Sequence, residues 1–220
     1  MPKWAKLIVA ILLLPLCAGS ALALGRVLQA AGGADVVWVP MIAGAACLLV
    51  VLVLLPKPMW LYVVGHELTH AVWTWLFGGR VKRFRATSHG GHVVVTRNNF
   101  LIALAPYFFP FYAVCVVVVF VAGNLLWNWA PLIPWFHLLL GAAYAFHLAL
   151  TWQVLQTRQT DITQQGRLFS AVVIFLGNVW VLLFGVPLLT RRVGLATALG
   201  WMLELSGQVV LRLGRLIPPV

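Results

Sequence analysis

Met59-Trp60-Leu61-Tyr62-Val63-Val64-Gly65-His66-Glu67-Leu68-Thr69-His70-Ala71-Val72-Trp73-Thr74-Trp75-Leu76-Phe77 is an apolar run with one polar island inside it. Pro56-Lys57-Pro58 precedes the run and Gly78-Gly79 follows it, which predicts a helix bounded at both ends. Residues four apart on a helix lie one turn above each other on the same face. His66 and His70 can therefore offer two imidazoles to one cation, with Glu67 beside them. That is the physical content of the H-E-x-x-H spacing: two zinc ligands plus a carboxylate that takes a proton from water. The surroundings sharpen the reading, because an unpaired carboxylate inside a membrane helix costs about 2.5–3.5 kcal/mol. A coincidental match is the alternative, and the six histidines of the chain make it a rare one.

Composition sets the class. The 220 residues are 63% hydrophobic and only 9% charged, where a soluble domain carries about 25% charged residues. This predicts an all-α polytopic membrane protein in one domain, residues 1–220. A net charge of +11 would suggest nucleic acid in a soluble protein. Here the Lys and Arg sit in short clusters between apolar runs, which fits anchoring at a bilayer interface, and no nucleic-acid partner is expected. Cys17, Cys47 and Cys115 each stand alone in an apolar run and read as packing residues.

Outward from the motif, the apolar runs predict six or seven spans. Residues 1–25 read either as a cleavable signal peptide or as a retained first span. Gly25 to Asp35 reads as a polar connector and Val36 to Leu55 as a second span. After the motif helix, Arg80-Val81-Lys82-Arg83-Phe84-Arg85 alternates with period two. Ser88-His89-Gly90-Gly91 reads as a turn and His92-Val93-Val94-Val95-Thr96 as a returning strand, so a small β-hairpin is expected right after the motif. His89 and His92 read as hairpin residues rather than ligands. Further spans are expected from Asn99 to Ala122, kinked at Pro106 and Pro110, from Trp135 to Gln156, and from Leu168 to Leu189. The last run, Val193 to Leu216, either crosses the membrane or lies along it. The hairpin is placed on the cytoplasmic side.

A catalytic zinc takes three protein ligands and keeps one position open. The metzincin pattern fails, since Trp73 and Leu76 stand where it needs Gly and His. The chain has four acidic residues, Asp35, Glu67, Asp161 and Glu204. Glu204 has no supporting motif, whereas Asp161 follows the motif after two further spans. His147, in mid-span, is the competing candidate for third ligand, and an acid paired with Arg158 or Arg167 is the plainer reading of Asp161.

Together, Gly65-His66-Glu67-Leu68-Thr69-His70 in a membrane helix, the hairpin from Gly78 to Thr96 and the later aspartate resemble the site-2 protease family of intramembrane zinc metalloproteases. The resemblance covers roughly residues 57–190. It implies one zinc per chain on His66, His70 and Asp161, with Glu67 as general base, and hydrolysis of a peptide bond in or next to a membrane segment of a substrate protein. One departure stands out: Gln159-Thr160-Asp161-Ile162-Thr163-Gln164-Gln165-Gly166 replaces the Asn- and Pro-containing run that the family often shows around its aspartate. Asn178, polar within a span, is a candidate oxyanion donor or supporting residue, or else glue between helices. The stretch from Arg80 to Thr96 is expected to pair with an unwound substrate strand by strand addition. The expected location is a bacterial inner membrane, with the lipid bilayer as surroundings. A zinc-binding scaffold that cleaves nothing and a metal transporter are the competing classes, and neither explains the glutamate inside H-E-x-x-H.

Overall fold

A computed structural model describes residues 2–87 and 90–215. In chain order the elements are α1 (Lys3–Ala31), α2 (Asp35–Leu54), α3 (Met59–Leu76), β1 (Val81–Thr87), β2 (Gly90–Val95) and α4 (Phe100–Leu104). A 3-10 turn (Ala105–Tyr107) follows, then α5 (Phe111–Trp127), α6 (Ile133–Leu155), α7 (Thr160–Gln165), α8 (Arg167–Thr190) and α9 (Leu195–Gly214). Among the described residues the regular structure is helical apart from one antiparallel hairpin, as expected. Ser88 and His89 of the expected turn lie outside the described residues. Among the described residues four helices are long and apolar enough to cross a membrane, and a fifth span arises if the bent pair around residue 109 is counted as one. The six or seven spans read from sequence also included α3 and α9. On composition these two do not qualify, because His66, Glu67 and His70 interrupt one and Glu204, Gln208 and Arg212 the other.

Two compact units emerge, residues 35–161 and residues 1–34 with 162–220. In the first, α2 and α6 cross closely. A Cβ on Gly44 would overlap the Leu138 carbonyl, and one on Gly141 would overlap that of Met41, so glycine on each helix admits the other's backbone. Tyr62, Phe146 and Leu150 form a buried cluster that seats α3 against α6. Gly65 does the same toward α5: a Cβ there would lie 2.7 Å from the Tyr112 ring, whose hydroxyl donates to the Leu61 carbonyl at 2.6 Å. The motif helix ends at the expected place. Gly78 adopts φ 68°, and the amides of Gly78 and Gly79 donate to the carbonyls of Trp75 and Thr74 at 2.9 and 2.8 Å. This is the Schellman arrangement, and it needs a residue free to take positive φ.

The hairpin pairs Arg85 with His92 and Ala86 with Gly91, with an irregularity between Val81 and Arg83. Pro106 and Pro110 do more than kink their span. They accompany a break that turns the chain by 83° between Phe100–Tyr107 and Phe111–Trp127, because Pro110 has no amide with which to continue a ladder.

In the second unit, α1 packs on α8 and α9, and Trp180 Nε1 donates to Ser20 Oγ at 3.2 Å. The stretch from Gly25 to Ala31 is helical, contrary to the connector expected there; the break comes at Gly32 and Gly33. Arg26 and Gln29 read as loop residues in sequence, yet both are good helix formers and lie on an exposed face of α1.

Candidate metal centre

All four residues of interest lie in the unit that spans 35–161. Helical spacing stacks His66 and His70 on one face of α3, their rings 4.9 Å apart in a tilted edge contact. His70 Nδ1 lies 2.8 Å from the Ile102 carbonyl. A carbonyl can only accept, so Nδ1 carries the proton and Nε2 presents its lone pair. A main-chain oxygen thus fixes the tautomer, the usual way in which a ligating histidine is oriented. His66 Nδ1 is buried without a protein partner. A cavity of about 20 Å³ borders the His66 and His147 side chains.

Asp161 reaches this pair from the first turn of α7. Its Oδ2 lies 3.7 Å from His66 Nε2 and 3.7 Å from His70 Nε2. At 3.7 Å neither contact is a hydrogen bond. The spacing suits three ligands around an ion instead. Tetrahedral zinc with bonds of about 2.0–2.2 Å holds its ligand atoms roughly 3.3–3.5 Å apart. The three donor atoms lie within 4.8 Å of one another, and among the described residues they form the one group of three or more His, Cys, Asp or Glu placed to hold a metal. Two imidazoles and one carboxylate are a zinc donor set that leaves a fourth position open. The residues present therefore fit the ion that the motif implies.

Tyr107 completes the support. From the 3-10 turn before the bend, its hydroxyl donates to Asp161 Oδ2 at 3.1 Å, with Gln159 Oε1 at 3.4 Å. Its ring stands edge-on to His66 at 5.4 Å. One side chain thus touches two of the three candidate ligands.

No known family model, curated protein or solved structure matches the chain.

Glu67 is 6% exposed and lines a cavity of about 480 Å³ with His66, His70 and Asp161. The opposite wall is β2, from Gly90 to Val93, with Val95. β2 meets Glu67 at Gly91, where a Cβ would lie 2.7 Å from Glu67 Cγ and 2.9 Å from Glu67 Oε1. His92 borders the cavity but is not one of the clustered donors. His147 is likewise outside the donor group. Asn178 belongs to α8, where its Nδ2 donates to the Ile174 carbonyl at 2.9 Å. His89 lies outside the described residues. Sequence reasoning missed three contributors: the Ile102 carbonyl, the Tyr107 hydroxyl and Gly91. Of these, Gly91 alone left a local sign, a Gly-Gly pair between two β-like runs.

Proposed function

We propose that this chain is an intramembrane zinc metalloprotease of the site-2 protease type, acting in a bacterial inner membrane on a membrane segment of a substrate protein. The observation that carries the reading is the position of Asp161 Oδ2, 3.7 Å from both motif imidazoles, with Glu67 beside them. On this reading Asp161, remote in sequence, is the third donor of the motif, and the neighbouring Glu67 carboxylate is left over. Binding alone does not need that carboxylate; hydrolysis does.

His66, His70 and Asp161 would hold the ion, one per chain. Bound there, zinc supplies a Lewis acid that polarises a carbonyl and lowers the pKa of water. Glu67 then works as general base and acid: its carboxylate takes a proton from the attacking water and returns it to the leaving amide nitrogen. The C–N bond breaks and a carboxyl and an amine terminus leave. Tyr107 keeps the Asp161 carboxylate aimed at the imidazoles, and the Ile102 carbonyl keeps His70 in its ligating tautomer. A helical substrate hides its amides, so it must be extended before water can reach the carbonyl. The hairpin from Arg80 to Thr96 borders the cavity through β2, and we assign the extended substrate to pairing with this strand.

The test is Glu67→Gln in purified, zinc-loaded protein with a transmembrane peptide as substrate. Expected is full zinc content with cleavage lost, because Glu67 is not a ligand. Undiminished cleavage would remove the mechanism.

A further inference from the structure

α1 and α9 face each other across an open groove of about 470 Å³ that has no part in the metal centre. On α1 it is lined by Leu22, Gly25, Arg26 and Gln29, spaced i, i+3, i+4, i+7, and α9 repeats that spacing from Leu205 to Arg212. Each stripe carries an arginine, a glutamine amide and apolar carbon. The groove is open at Gly25, where a Cβ would meet nothing within 4 Å.

The charge in the groove is unbalanced. Residues 1–34 and 162–220 contain eight Lys and Arg and a single acid, Glu204. That carboxylate is already engaged: Arg26 Nη1 lies 3.6 Å from one oxygen, and Gln208 Nε2 donates to the other at 2.9 Å. Among the described residues no carboxylate pairs with Arg212. Two guanidiniums against one carboxylate leave one positive charge, which one monoanionic phosphodiester would neutralise. Guanidinium forks suit phosphate oxygens in geometry as well as charge. The flanks decide between a free ion and an amphiphile. Leu22 and Leu28 on α1, and Leu203, Leu211 and Leu213 on α9, are exposed, so a molecule whose head sits in the groove finds apolar helix surface beside it for its chains.

We propose that this groove binds the headgroup phosphate of an anionic phospholipid, through Arg26 and Arg212 with help from Gln29 and Gln208. Basic pockets between helices at the membrane surface recognise lipid headgroups in this way. A zwitterionic headgroup would bring a further cation toward the two arginines and is disfavoured.

The experiment titrates phosphatidylglycerol into the detergent-solubilised full chain and counts bound lipid by native mass spectrometry. Phosphatidylcholine and inorganic phosphate serve as separate arms. Expected is one tightly bound phosphatidylglycerol, weakened about five-fold by Arg26→Gln or Arg212→Gln and about thirty-fold by the pair. Gly25→Leu should block binding with every charge retained and thermal unfolding unchanged, which keeps the test valid if an arginine variant folds poorly. Arg215→Gln, outside the groove lining, should leave binding intact. Equal binding of phosphatidylcholine, or displacement by an equal concentration of inorganic phosphate, would overturn the proposal. So would an equal loss with Arg215→Gln, or binding that survives Gly25→Leu.

Discussion

Gly91→Ala adds one methyl group at the point where the hairpin rests on the general base. The new Cβ would lie 2.7 Å from Glu67 Cγ, 2.9 Å from Glu67 Oε1 and 2.7 Å from the Arg85 carbonyl oxygen. Carbon contacts settle at about 3.5–4.0 Å, so the shortfall is about 1 Å. Gly91 is not among the glycines with positive φ, so the effect is steric and not one of backbone strain. Arg85 belongs to β1, and its pairing with His92 holds that carbonyl in place. Glu67 is the end of a side chain but is buried, so it has little room to yield. Either the carboxylate or the strand must move by about 1 Å. Displacements of that size cost up to about 100-fold in rate, while overpacking of a filled site costs about 1–3 kcal/mol of stability. Initial cleavage rates, zinc content and thermal unfolding are measured together on the purified variant. Expected is a rate lower by about two orders of magnitude with zinc content unchanged, because none of the three candidate ligands is touched. Full activity with an unchanged unfolding temperature would show that β2 is not seated on Glu67.

Tyr107→Phe removes the hydrogen bond to Asp161 while keeping the ring against His66, and zinc affinity should fall about 10–100-fold in a chelator competition. An unchanged affinity would leave Tyr107 as packing only. Val93→Pro deletes one backbone donor from the strand that borders the cavity, and cleavage should slow while zinc content persists. An unchanged rate in a folded variant would remove pairing at Val93 from substrate binding.

Much of this arrangement was legible in the chain because membrane helices announce themselves as apolar runs. The hairpin was legible for a different reason: Arg80 to Arg85 alternates with period two, and Gly-Gly follows. His66, Glu67 and His70 could be read because their relationship is local, one helical turn. Asp161 could be proposed because acids are scarce, but what it touches could not. Its partners, His66, His70 and Tyr107, come from α3 and from a turn that an 83° bend places beside the motif. Nothing local in the sequence specifies that bend beyond two prolines. The same limit explains Gly25 to Ala31. Arg26 and Gln29 looked like a connector because a polar residue in a loop and one on an exposed helix face have the same composition, and the packing of α1 on α9 distinguishes them. Asp161 also lies close in sequence to the long apolar run from Leu168, yet it does not belong to that helix. It opens the separate short helix α7 instead, because Gly166 takes φ 94° and breaks the chain before α8.

X-ray absorption at the zinc edge, on purified wild-type protein and on Asp161→Ala and His147→Ala, addresses the metal centre most directly. Expected for the wild type is one zinc per chain with two imidazole nitrogens and a carboxylate oxygen at about 2.0–2.2 Å. His147→Ala should give the same spectrum and occupancy, and Asp161→Ala should lose the oxygen scatterer and most of the metal. Zinc retained at full occupancy without Asp161, or lost on replacing His147, would contradict the ligand set His66, His70 and Asp161.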